Sequence, residues 1–238
     1  VLKQISLVMG NKQQLWWDLL ARDSFAVFKE LYEVPEKLFR ERLDRLVEAL
    51  QLKDKIDIQV RRLSLGERMK CELVASLLYA PKVIFLDEPT LGLDVVSQKR
   101  IREFLQELHE SDGSTILLTS HYMQDVQELC DRIVVIDHGT VVFEGKLEEL
   151  STKYATESQI QLQFRDDVAS ADLEKFGKVS ASDGNTATLV VGRVEVPKAM
   201  QQLLTQLPVE SVSVEEMPLE EVIRRLFMDR TLSDPPKE

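Results

Sequence analysis

Residues 82–94, KVIFLDEPTLGLD, decide how this chain is read. Four apolar residues, VIFL at 83–86, run straight into two adjacent carboxylates, Asp87 and Glu88, and a third acid follows at Asp94. A short apolar run of this kind reads as a buried strand. In open α/β sheets, ligands bind beyond the carboxyl ends of the strands, so acids placed there suit a magnesium-bound phosphate. Magnesium takes oxygen ligands and keeps several waters, so one carboxylate can hold it while the neighbour polarises an attacking water. A polar pair that only caps a strand is the plainer alternative.

The flanks extend the pattern. TILLT (115–119) and RIVVID (132–137) read as two more buried strands, separated from VIFL and from each other by helical stretches at 96–109 and 122–130. Strand–helix–strand alternation predicts an α/β fold with a parallel sheet. VLKQISLVMG at the start alternates weakly like a strand, and VVIDHGTVVFEG reads as a hairpin turning at 137–139. From Asp23 to Leu50 the pattern turns helical, with Phe39, Leu43, Leu46, Val47 and Leu50 on one face and Pro35 placed like a first-turn proline. A further helix is expected from about Gly66 to Tyr79, ending before Pro81. Beyond Lys153 the texture changes. IQLQF, TATLVV and ESVSV read as strands that alternate with KAMQQLLTQL and LEEVIRRLF, so 156–230 is expected to form a small α+β accessory domain. The last eight residues, 231–238, read as a disordered tail.

Composition bounds the function. The chain has 238 residues, 44% hydrophobic and 30% charged, with a formal net charge of −11. That balance argues against nucleic-acid binding, which needs a basic face, while leaving nucleotide binding open. No run of 18 apolar residues and no secretory pattern is present, so a cytosolic location is expected. Cys71 and Cys130 lie too far apart in sequence to form a metal or redox pair by spacing.

Two further motifs join the acids. In LSLGERMK (63–70), Ser64 and Glu67 fit the S-x-x-E box that opens a helix, and a helix N-terminus with a serine hydroxyl and a close-approach glycine can hold an anion. An ordinary helix cap fits the same octapeptide. Strand TILLTS delivers His121 to the rim that carries Asp87 and Glu88, where an imidazole can meet a phosphate or the attacking water, or simply face solvent.

Taken in order, LSLGE, VIFLDEPT, LGLD and TSH resemble the ATP-binding cassette (ABC) ATPases over residues 1 to about 150, with a helical subdomain at about 12–80. The resemblance implies a P-loop NTPase-like sheet, ATP and Mg2+ as cofactors, a head-to-tail dimer of ATPase subunits, and a transmembrane permease subunit in trans. No nucleic acid partner is implied. It places the chain on the inner face of the cell membrane, as the peripheral ATPase subunit of an exporter. It implies that Ser64, Leu65, Gly66 and Glu67 form the signature that closes over a partner's ATP, with Leu65 where the common form has a glycine. Asp87 then holds magnesium, Glu88 is the general base, Asp94 belongs to the loop coupling the two sites, and His121 is the switch histidine. MGNKQQLWWDL (9–19) resembles the family's glutamine loop, with Asn11 at the glutamine position and Gln13 and Gln14 as candidate substitutes. Trp16 and Trp17 cannot both face one core from a regular element, so one exposed indole is expected, suited to a membrane subunit.

One part is missing. The phosphate cradle reads G-x-x-x-x-G-K-[ST], and no pair of the nine glycines fits it. The expectation is a truncated chain whose cradle and first strands precede Val1, and which alone binds Mg-ATP weakly or not at all and has no meaningful turnover. A non-transport member of the family, or an interaction-only chain that donates its signature helix to an intact partner, are the alternatives.

Overall fold

The computed structural model describes residues 2–233, which fall into two compact units divided after Leu129. The first is built on a parallel sheet of three strands, β1 (Ile5–Met9), β2 (Val83–Asp87) and β3 (Thr115–Thr119), in the order β1-β2-β3. Their register sets Met9, Asp87 and Thr119 side by side at the carboxyl edge. The apolar run at 83–86 is thus the central strand, and the residue that ends it is an acid.

Helix α1 (Ala21–Leu31) and helix α2 (Glu36–Ala49) divide the helical pattern seen from Asp23 to Leu50. They part at Glu33, which takes a positive φ of 54°, and at Pro35, which precedes α2 as its cap residue rather than lying inside its first turn. Helix α3 (Leu65–Leu77) is buried nearly all round, as a core helix must be, and stops short of Pro81. Phe28, Tyr32 and Tyr79 stack in series, and the Tyr79 hydroxyl donates to the Ile5 carbonyl at 3.2 Å, tying the helices to β1. Helix α4 (Val95–Asp112) leads from β2 towards β3 and ends at Gly113, whose φ of 63° suits glycine at a helix C-terminus. Helix α5 (Met123–Leu129) closes the unit. One core joins Phe25, Leu46, Leu50, Leu73, Ile84 and Ile101.

The second unit starts with a hairpin, β4 (Arg132–Asp137) and β5 (Thr140–Lys146), whose two-residue turn places His138 and Gly139 at φ 46° and 74°. Both central residues at positive φ match the tight turn that follows strand twist. Helix α6 (Leu147–Tyr154) follows. Then comes an antiparallel sheet of β6 (Glu157–Phe164), β7 (Lys178–Asp183), β8 (Thr186–Gly192) and β9 (Val209–Glu216), ordered β7-β8-β6-β9. Helices α7 (Ser170–Leu173) and α8 (Val196–Gln206) accompany it, and its core gathers Ile160, Phe164, Leu189 and Leu203. Helix α9 (Leu219–Ser233) runs three residues into the stretch read as a disordered tail; residues 234–238 lie outside the described residues.

Candidate functional site

Asp87 ends the central strand, and Thr119, its partner in register on β3, donates its hydroxyl to Asp87 Oδ1 at 2.7 Å. That leaves the second carboxylate oxygen of Asp87 outside this bond. Glu88 then leaves the strand with a positive φ of 52°, a left-handed backbone that costs a non-glycine residue about 1–2 kcal/mol. Its amide is held by the Thr119 carbonyl at 3.0 Å. Such strain collects where surrounding structure over-determines a functional geometry. Here it accompanies a contact: Glu88 Oε2 lies 2.8 Å from His121 Nδ1 and 3.4 Å from the His121 amide. Asp87, Glu88 and His121 therefore meet on one edge, delivered by two adjacent strands.

Gly10 borders the same edge. Its amide donates to the Asp87 carbonyl at 2.8 Å, and a Cβ at this position would lie 2.1 Å from the Glu88 carbonyl oxygen, so only glycine fits. Asn11 follows, exposed on the loop that leads to Gln13 and Gln14. Among these, Gln14 is committed, its side-chain amide donating to the Leu7 carbonyl.

The signature residues form a second group. The Ser64 hydroxyl accepts from the Glu67 amide at 3.2 Å, and Glu67 Oε2 accepts from the Ser64 amide at 2.9 Å, the reciprocal cap that the sequence predicts. Lys55 reaches Glu67 Oε1 at 2.7 Å and, with the capping bonds, holds the Glu67 carboxyl below its ordinary range. Asp94 caps α4 through the amide and hydroxyl of Ser97, at 2.9 and 2.7 Å, which lower its pKa. The two helix starts touch: a Cβ on Gly66 would meet Ser97 Oγ at 2.5 Å. Leu65 is exposed beside them. Among the described residues, no side-chain hydrogen bond or ion pair joins this group to Asp87, Glu88 or His121.

The donor set fits a magnesium ion bound through few protein ligands. No cluster of three or more His, Cys, Asp or Glu suited to a metal occurs among the described residues, while hard oxygen donors stand at Asp87 and Glu88. Both indoles are half-exposed, where one exposed ring was expected. Trp16 meets Phe28 edge-on at 6.0 Å, and the Arg68 guanidinium lies 5.0 Å over Trp17, so each ring packs one face while leaving part of it bare.

Known proteins resemble the chain in sequence and in fold. A family model described as an EvrA-like ABC transporter, C-terminal domain, matches residues 157–215, and one described as an AAA domain, putative AbiEii toxin, type IV TA system, matches residues 14–123. The ABC transporter ATP-binding protein NatA of Bacillus subtilis is 33% identical over 150 residues, 63% of this chain and 61% of that protein. The daunorubicin/doxorubicin resistance ATP-binding protein DrrA of Streptomyces peucetius is 33% identical over 198 residues, 79% of this chain and 59% of that one. The homologues of this chain are ABC transporter ATP-binding proteins. In structure it matches cbiO1 of Clostridium perfringens, part of the ABC transporter complex cbiONQ, with a TM-score of 0.56 and 27% identity over 63% of this chain and 60% of that one. The chain spans less than two thirds of the length of either curated relative. Among the described residues, none of its helices is long and apolar enough to cross a membrane.

The candidate site also rests on residues that motif reading passed over. Asp125 is fully buried; its Oδ2 accepts from the Thr90 and Ser120 hydroxyls and its Oδ1 from Arg102 at 3.1 Å. Arg102, also buried, reaches Glu128 at 2.8 Å. One carboxylate thus ties the loop after Glu88 to the loop that carries His121. Nothing in a lone D-x-x-E on a short helix signals this, because Arg102 and Thr90 lie 23 and 35 positions away.

Proposed function

We propose that this chain is part of the ATP-binding subunit of an exporter, driving a separate transmembrane permease from the cytoplasmic face of the membrane. The observation that carries the reading is the meeting of Asp87, Glu88 and His121 at the carboxyl edge of a parallel sheet, with 2.8 Å between Glu88 Oε2 and His121 Nδ1. In this reading Asp87 holds Mg2+ beside the phosphates of ATP, and the ion, when bound, offsets phosphate charge. Glu88 takes the proton of the attacking water, with His121 orienting its carboxylate. Asn11 stands near the same phosphates in place of the family glutamine. Ser64, Leu65, Gly66 and Glu67 face the ATP of a second subunit in a head-to-tail dimer, and Asp94 couples the two sites. Their separation from the Asp87 group within one chain supports that division of labour. Residues 156–230 form the accessory domain, consistent with the family match over 157–215. Half-exposed Trp16 and Trp17 offer apolar surface to the permease.

A second reading is favoured by one observation: the sequence contains no G-x-x-x-x-G-K-[ST]. The backbone amides and lysine of that cradle supply most of the hold on β- and γ-phosphates. The 238-residue chain alone is then an interaction partner that donates its signature helix to an intact ATPase. Calorimetry with Mg-ATP separates the two. The chain alone should bind no ATP at micromolar concentrations, and binding would overturn the need for the cradle. In a form carrying an in-frame cradle upstream of Gly10, Glu88→Gln should abolish turnover and trap an ATP-bound dimer. Normal turnover in that variant would remove Glu88 as the base.

A further inference from the structure

We propose that Glu72 is a positioning residue that clamps the loop at 10–15 to helix α3, acting as a hydrogen-bond acceptor and not as a charge. Glu72 is 3% exposed on α3. Its Oε1 accepts from two successive backbone amides, Gln14 at 2.9 Å and Leu15 at 3.1 Å. Its Oε2 has no hydrogen-bond partner in the protein. A buried carboxylate with one oxygen saturated and the other bare is costly unless the acceptor it supplies is needed. What it supplies is the far anchor of the loop. The near anchor is Gly10, bonded to the Asp87 carbonyl at 2.8 Å and pressed against Glu88. Between the anchors, a recess of about 220 Å³ bordered by Asn11, Gln13, Leu65, Arg68 and Glu72 separates loop from helix, so side-chain packing alone does not fix the loop there.

Through Gly10, the clamp joins the strand that ends in Asp87 to the helix that Ser64 caps. The functional weight of that link rests on the ATPase reading above, whereas the clamp itself is tested by the conformation of the loop. Burial pushes the Glu72 carboxyl above its ordinary range, and the Gln14 and Leu15 amides oppose this shift. A neutral carboxyl keeps its carbonyl oxygen, so the acceptor survives protonation. Glutamine reproduces the same acceptor without charge, and leucine fills the same space without any acceptor.

The chain's two tryptophans, Trp16 and Trp17, directly follow Leu15 and report on the loop by fluorescence. Glu72→Gln should keep the native emission maximum and acrylamide quenching. Glu72→Leu and Glu72→Ala should shift emission to the red and raise quenching, with far-UV circular dichroism retained. Wild-type behaviour in Glu72→Leu would overturn the proposal, since Glu72 would then only fill space. Alanine-like behaviour in Glu72→Gln would overturn it too, since charge would then be the requirement. Amide hydrogen exchange in the unsubstituted chain gives an independent reading should a variant fail to fold. Slow exchange at Gln14 and Leu15 is expected, and exchange at free-loop rates would sink the clamp.

Discussion

Gly66 lies where the starts of α3 and α4 touch, and its missing side chain is a packing requirement before it is anything else. An added Cβ would lie 2.5 Å from Ser97 Oγ and 2.9 Å from Ser97 Cβ. Ser97 cannot simply turn away, because its hydroxyl and amide are both bonded to Asp94. Gly66→Ala should therefore cost about 1–3 kcal/mol in urea unfolding, the usual range for overpacking. The cost should shrink when the same change is made in a Ser97→Gly background, since contacting residues couple in a double-mutant cycle. Equal costs in both backgrounds would show that the clash is absorbed elsewhere. Glu72 gives the residue scale its pH dependence. Its folded pKa is raised, chiefly by burial, so the folded state binds a proton more tightly than the unfolded state does. Stability from this group is then complete below the ordinary carboxylate range and is lost as pH rises through the raised value. Glu72→Gln should match the parent chain in strongly acidic urea titrations and exceed it near neutrality. A gap that widened towards acid would reverse the sign and refute the assignment.

Among the elements, α4 and α5 are held to each other by an ion pair that no motif contains. Arg102 and Asp125 are 3% and 0% exposed at their side chains and lie 3.1 Å apart. Removing one partner of such a pair leaves an uncompensated charge, so Arg102→Ala should lose about 3–5 kcal/mol by denaturation. A loss below about 1 kcal/mol would mean that water, with the Thr90 and Ser120 hydroxyls, satisfies Asp125 without the guanidinium. This network shows where sequence reading stops. The central strand was legible because four apolar residues end in an acid, and the cap of α3 because Ser64 and Glu67 stand three apart. The hairpin was legible because His138 and Gly139 sit between apolar runs. Strand β7 left no such mark: it is an edge strand, KVSASD, with nearly every residue exposed, so it lacks the alternation a half-buried strand shows. Helix α6 is one short amphipathic stretch that follows a strand without a break in composition. Thr119, Asp125, Arg102 and Glu72 act through partners far away in sequence, and only the folded register brings those together.

At the scale of the whole molecule, the parallel sheet of the first unit buries the side chains of one face and, among the described residues, leaves apolar side chains of the other partly bare. Val8, Ile84 and Leu86 point into the helical core and are buried. On the other face Leu7, Phe85 and Leu117 stand in register across the three strands and are 47%, 38% and 48% exposed. Parallel sheets normally carry cover on both faces, and a contiguous apolar stripe in water is a surface that attracts apolar matter. Against a formal net charge of −11, which keeps copies apart, such a stripe should still bind a small amphiphilic dye. The native chain should enhance the fluorescence of anilinonaphthalene sulfonate, and Leu7→Thr with Leu117→Thr should remove most of that enhancement. Both side chains are already half in water, so the cost in unfolding free energy should stay within about 1 kcal/mol. Undiminished dye binding in the double variant would locate the sticky surface elsewhere. A large loss of stability would mean instead that this face is packed in solution and not open.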